Sequence, residues 1–255
     1  VADVEGYYEN AKINRVYVDR VHVKKAFAEY TAAYNADDPK IKLKIDHTYR
    51  VAALCERIAK AAGMCAYDVE LAWLSGMLHD VGRFEQIKRY NTFSDADSVD
   101  HAKFGADLLF KDGLISTFLN GMVKCTGYKP GALEDRYSSD GVFLYDRLNK
   151  SDMEMLELAI RCHNMYRIPQ GLNRREQAFC NVLRDADKVD IFKVNIDTPL
   201  EEIYNTTTEE LMKSDITDEV LEAFDEEHCI LKAIRRTPAD TVIGHVSLAY
   251  ELVYD

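Results

Sequence analysis

His79 and Asp80 stand side by side at the end of an apolar stretch, offering an imidazole nitrogen and a carboxylate oxygen from one point on the chain. Divalent transition metals favour those donors. His47 lies upstream, Asp187 lies far downstream, and His101 and His163 fall between them. If the fold brought these six donors together they would suit one or two metal ions, and metal-assisted hydrolysis is the chemistry they point to.

Whether they can meet depends on the elements that carry them. From Asp46 the pattern turns helical, with His47, Val51, Leu54, Cys55, Ile58 and Ala62 on one face, Asp46 as the N-cap and Gly63 as the stop. A second helix is predicted from about Asp68 to Gly82, where Ala72, Ser75 and Gly76 share the side of His79 and allow another backbone to come close. A third covers Val99 to Lys111 and carries His101. A fourth runs from Asp152 to Tyr166, with Met155, Leu156, Ala159, Ile160 and His163 on one side. The fifth opens on Asn173 and Glu176, which are spaced as a capping box. Its buried face reads Phe179, Cys180, Leu183, Asp187, Ile191 and Val194, whereas Asp185 lies about 200° away at ~100° per residue. Asp187 is therefore the ligand candidate of the run Arg184–Asp190.

Strand signals are few. Residues 126–150 read as irregular, a lid or a surface excursion, and the tail holds weaker helical patterns over 207–213, 217–235 and 242–253. The expectation is one all-α domain. Residues 1–40 form an N-terminal helical extension, 41–195 the core, and 196–255 a C-terminal helical region packed on it.

One histidine on an apolar face is ordinarily a satisfied core residue. Here His47, His79, His101 and His163 each occupy a face predicted to be buried, on separate helices, and Asp187 stands where a leucine is expected. A buried carboxylate needs a cationic or hydrogen-bonding partner, and one metal site accounts for all of these residues together. His22, His228 and His245 show no such convergence and are assigned structural or surface roles.

This ordered set resembles the HD-domain superfamily of metal-dependent phosphohydrolases, whose signature H…HD…D lies on a helical bundle. His47 matches the first histidine, His79-Asp80 the pair and Asp187 the last aspartate. His101 and His163 match the two added histidines of its binuclear branch. His79-Asp80-Val81-Gly82-Arg83-Phe84-Glu85-Gln86 is similar to bacterial HD hydrolases in which Gly-Arg-Phe-Glu follows the pair, and the resemblance spans about residues 40–195. It implies hydrolysis of a phosphate ester or anhydride, often in a nucleotide. One branch instead uses a diiron centre for oxygenation, as in inositol and phosphonate oxygenases. A non-catalytic nucleotide sensor on the same scaffold is the third reading.

In the mechanism this implies, His47, His79, Asp80 and Asp187 hold one metal, and Asp80 bridges to a second held by His101 and His163. A water shared by two cations would be largely hydroxide near neutral pH. Imidazole-rich ligation favours Fe, Mn, Co, Ni or Zn over Mg. A single-ion enzyme with His101 and His163 in the pocket wall is the alternative. Arg83, Lys88 and Arg89, and more weakly Lys103 and Lys188, are the candidates for binding substrate phosphate. Asp80, His79, Arg83 and Glu85 are the candidates for catalysis. Three roles are open to Glu85: protonating a leaving group, holding a neighbouring ligand in place, or pairing with Arg89; the last two are favoured. Tyr90, Asn91, Phe93 and Tyr128 are weaker candidates for stacking on a base.

Bulk composition narrows the partners. The net charge of −12 disfavours general binding to a nucleic-acid backbone, although it leaves room for a local basic cleft. No apolar run reaches the roughly 18 residues of a membrane span, and no secretory leader is evident. The six cysteines occur without CxxC spacing and read as free thiols in a reducing compartment. The expectation is a cytoplasmic protein acting on a small phosphorylated ligand, with a homodimer left open.

Overall fold

The computed structural model describes residues 18–35, 37–119, 148, 150–204 and 206–254, and every regular element among them is helical. Of the expected excursion at residues 126–150, residues 126–147 and 149, Tyr128 among them, lie outside the described residues, and Lys150 opens a helix. Helices α1 (Arg20–Thr31), α2 (Pro39–Ala61), α3 (Ala66–Leu78) and α4 (Val81–Tyr90) come first. They are followed by α5 (His101–Ala106), which runs on as a π turn over Asp107–Lys111, and by α6 (Ile115–Leu119), α7 (Lys150–Cys162) and α8 (Arg174–Asp197). The tail supplies α9 (Leu200–Tyr204), α10 (Thr208–Lys213), α11 (Asp218–Asp225) and α12 (Pro238–Val246), with 3-10 turns at Lys232–Ile234 and Ser247–Glu251.

Several boundaries differ from the sequence reading; the helix read over Asp152–Tyr166 ends at Cys162, and two further differences matter for the site. Helix α2 begins at Pro39 and not at Asp46. The run Asp37-Asp38-Pro39 starts a helix because the Asp38 carboxylate accepts the Lys40 N–H and Pro39 sits where a missing N–H costs nothing. Lys44 therefore belongs to the same helix as His47. The helix predicted to run from about Asp68 to Gly82 stops at Leu78, and a separate helix, α4, covers Val81–Tyr90. His79 and Asp80 lie at the joint between α3 and α4, so their side chains leave the backbone where two helix directions meet.

Helix α3 is the axis of the bundle. Leu71 to Leu78 are all buried, and α2, α7 and α8 all pack on it. Ile41, His47, Thr48, Val51, Ala52, Cys55 and Ala59 form the buried stripe of α2, at three- and four-residue steps. A Cβ on Gly76 would stand 2.6 Å from the Cα of Ala52, so only glycine lets α2 and α3 come this close. The same device joins α4 to α5. A Cβ on Gly82 would meet the His101 carbonyl and stand 2.7 Å from the Gly105 nitrogen. Both are backbone atoms and cannot swing aside. Gly82→Ala is expected to cost about 1–3 kcal/mol by overpacking, seen as a fall of several degrees in Tm by calorimetry. An unchanged Tm would show that α5 has slack to move.

The tail is anchored to the bundle through α8. The buried Asp185 carboxylate accepts the N–H groups of Val253 and Tyr254 at 2.8 and 2.9 Å, and Lys188 donates to the Glu251 carbonyl at 3.1 Å. Farther out, buried Asp240 accepts the backbone N–H groups of Thr217, Arg236 and Thr237, which fixes α12 against the start of α11.

Candidate metal centre

Four imidazoles and two carboxylates converge where α2, the α3–α4 joint, α5, the end of α7 and α8 meet. Asp80 lies between two groups. Its Oδ2 is 3.6 Å from Nε2 of both His47 and His79. Its Oδ1 is 3.4 Å from Nε2 of His101 and 3.8 Å from Nε2 of His163. Asp187 joins the first group, with Oδ1 at 3.1 Å from His47 Nε2 and 3.9 Å from His79 Nε2. The four histidines and Asp80 are each at most 5 % exposed, so water does little to screen them.

The outer nitrogens decide what the inner ones can do. Nδ1 of His79 donates to the Gly76 carbonyl at 2.8 Å, and Nδ1 of His163 to the Ile160 carbonyl at 2.7 Å. Nδ1 of His47 donates to Asp190 Oδ2 at 2.6 Å, and Nδ1 of His101 to Asp95 Oδ2 at 2.7 Å. With each ring proton committed outward, every neutral imidazole presents a lone pair at Nε2. Yet the Nε2 atoms approach in pairs, His79 to His47 at 3.3 Å and His101 to His163 at 3.0 Å. Lone pairs held so close repel unless a cation or a proton lies among them. The donor set therefore fits one metal at His47, His79, Asp80 and Asp187, and a second at Asp80, His101 and His163. Borderline transition ions suit these nitrogens.

The electrostatics follow the same division. Burial pushes the imidazoles of His101 and His163 down to about 4, with Arg83 adding to the effect at His101 and His79 adding to it at His163. His79 is also lowered, chiefly by burial. For His47, burial and Lys44 act downward, but the hydrogen bonds to Asp187 and Asp190 outweigh them and its value rises. Burial alone would raise both carboxyls. Lys44, His79, His101 and Arg83 nonetheless hold Asp80 well below the carboxylate range, and the histidines do the same for Asp187.

The sign of the resulting pH dependence can be worked out for chelator-treated protein. Three imidazoles have folded values below the ordinary 6.5, so below that pH the unfolded chain binds more protons and stability drains away. His47 has the opposite sign, adding stability below 6.5 that is lost as pH rises through its folded value. Three outweigh one, so Tm measured in chelator is expected to fall as pH drops from 6.5 towards about 4. A flat profile would mean that the folded and unfolded chains bind equal numbers of protons over this range, so that the fold does not hold these rings neutral.

Two clasps hold the donors. Asp190, with its side chain wholly buried, takes His47 on one oxygen and receives two donations from Arg50, at 2.6 and 2.9 Å. Asp95 takes His101 and is itself held by Arg83 Nη1 at 2.7 Å, Gln86 Nε2 at 3.0 Å and Asn164 Nδ2 at 3.3 Å. Gln86, also wholly buried, continues to Ser98 and to the Val99 carbonyl, which fixes the whole approach to α5. His163 lies one residue beyond α7, where Arg184 reaches across to the carbonyls of Cys162, His163 and Met165.

Several residues read from the sequence as phosphate binders or catalysts are engaged elsewhere. Arg83 is mostly buried, and its Nη1 spans Gln86, the Phe93 carbonyl and Asp95. Glu85 accepts from Tyr34 at 2.7 Å and from Arg89 at 2.9 Å, contacts that turn it towards α1. Lys88 lies 3.5 Å from Glu85 over the Tyr34 ring, and Arg89 stacks on Phe104. Lys103 pairs with Asp100, and Lys188 faces the tail. Of these five cations only Arg83 approaches a metal donor, with its Nε at 3.8 Å from Asp80. Tyr90 is half exposed, and Phe93 lies under the Arg83 guanidinium.

Sequence reasoning missed Lys44, Asp95 and Asp190. Lys44 precedes His47 by three residues and Asp190 follows Asp187 by three, so each shares a helix face with a proposed ligand and was open to detection. Asp95 lies in the irregular stretch before α5, where no periodicity exists to point it anywhere.

Comparison with known proteins adds one finding. The family model described as HD domain matches residues 45–192, more than half of the 255 residues and a span that covers all six donors. Nothing matches among curated proteins or solved structures.

Proposed function

The chain belongs to the HD domain family, and from that premise we propose that it is a metal-dependent phosphohydrolase cleaving a phosphate ester or anhydride in a small phosphorylated metabolite, foremost a nucleotide. One observation carries the reading: Asp80 presents one oxygen to each of two histidine pairs whose lone pairs face one another inside the protein. That arrangement suits a shared carboxylate between two ions.

When bound, such ions lower the pKa of water and polarise phosphoryl oxygens. The protein's own contribution is placement. Asp190 and Asp95 keep the N–H of His47 and His101 pointed outward, so that their Nε2 lone pairs face the centre. The carbonyls of Gly76 and Ile160 do the same for His79 and His163. The low values of His101 and His163 keep both rings neutral near pH 7, the state in which imidazole can bind a metal.

The test is an anaerobic turnover screen with added Mn²⁺. It would offer nucleoside mono-, di- and triphosphates, dinucleotides and sugar phosphates, with products resolved by chromatography and Asp80→Ala as the blank. Cleavage that vanishes in the blank is expected. Turnover that requires Fe²⁺ and O₂ would instead identify an oxygenase, and tight nucleotide binding with no turnover under any metal would identify a sensor.

A further inference from the structure

Lys44 is the cation placed to meet a substrate at this centre. It lies on α2 three residues before His47, and its Nζ donates to Asp80 Oδ2 at 2.8 Å, the same oxygen that faces His47 and His79. Its side chain is 22 % exposed, against 17 % for Asp187 and no more than 5 % for any other donor, so Lys44 is the least enclosed residue in contact with the cluster's shared carboxylate. A carboxylate oxygen has lone pairs enough to bind a cation and still accept from lysine, and an ammonium has more N–H donors than this single contact uses. Among the described residues no other partner takes its remaining N–H groups, which can donate to an oxyanion arriving beside Asp80.

The neighbouring cations have other tasks. Arg50 is paired with Asp190, and Arg83 Nη1 holds Asp95. Lys103 pairs with Asp100, and Lys188 donates to the Glu251 carbonyl. Lys232, on the C-terminal 3-10 turn, feels the fields of Asp95 and Asp187 but touches no donor among the described residues.

We propose that Lys44 is a phosphoryl-contacting residue: anchored to the Asp80 carboxylate, it donates to a non-bridging oxygen of a tetrahedral phosphate held at the metal centre. This rests on the reading that the centre handles phosphate, so its test is a binding measurement that does not require turnover.

Protein loaded with Mn²⁺ and freed of excess ion would be titrated with inorganic phosphate by calorimetry, alongside Lys44→Gln and Lys44→Arg. Glutamine keeps a donor for Asp80 but removes the charge. Metal content would be measured on every sample. The expected result is phosphate binding by the unsubstituted protein, weakened about tenfold to a hundredfold in Lys44→Gln at unchanged metal content and largely recovered in Lys44→Arg. Equal affinity in Lys44→Gln would overturn the proposal, as would absence of phosphate binding by the unsubstituted, loaded protein. Loss of phosphate binding only in step with loss of metal would also overturn it, since lysine would then serve only to hold Asp80. Lys44-dependent phosphate binding in a protein that hydrolyses nothing in the screen would sustain this role while rejecting hydrolysis.

Discussion

Asp80→Ala protein is expected to lose both proposed metal sites together, and with them at least about a thousandfold of turnover, because metal polarisation is worth several kcal/mol and each 1.4 kcal/mol is tenfold. Asp80 is the residue whose two oxygens face different histidine pairs, Oδ2 towards His47 and His79 and Oδ1 towards His101 and His163. Removing it divides the donors into groups of three and two. It also takes the partner from the Lys44 ammonium at the edge of a buried cluster. Metal content after gel filtration, read by plasma emission spectrometry beside kcat, checks the result. Asp80→Asn keeps the shape and a single carbonyl oxygen, so it is expected to retain at most one ion. An alanine variant that kept two ions and normal kcat would remove Asp80 from the centre.

The second large effect would separate the two proposed sites. Asp190→Ala is expected to weaken metal binding at the His47 side about ten- to hundredfold, and Asp95→Ala to do the same at the His101 side, because a residue that orients a ligand histidine is worth about that much affinity. Each aspartate receives the N–H of only one of these two histidines. Their other partners differ as well: Arg50 lies behind Asp190, whereas Arg83, Gln86 and Asn164 lie behind Asp95. A two-step Mn²⁺ titration followed by electron paramagnetic resonance should therefore show a different step shifted in each variant. If both substitutions shifted one common step equally, the cluster would be a single mixed site.

Helix type and the inward placement of the four histidines were legible in the sequence, because helical periodicity is local and a histidine repeatedly placed on an apolar face stands out against it, whereas Asp185, read as lying off the buried face of its helix, is buried as well. Even the separation of Asp187 from Asp185 was available from the ~100° step per residue. In the structure Asp187 faces His47, and Asp185 takes the backbone of the tail from the other side. The cations were a different matter. A lysine or arginine in sequence carries charge but no direction, and its partner is selected by what the fold brings within reach. Lys88 and Arg89 were drawn to Glu85, and Arg83 was turned to Asp95 in a segment with no repeat to announce it. Lys44 came to the centre because Asp38 and Pro39 extend α2 far enough to carry it there. The sequence by itself pointed to the four histidines, Asp80 and Asp187 as residues that could meet on neighbouring helices, and the structure brings them together. Only the tertiary structure decided which carboxylates hold the imidazoles and which cation is left beside Asp80, because long side chains choose partners across the packed interfaces between helices.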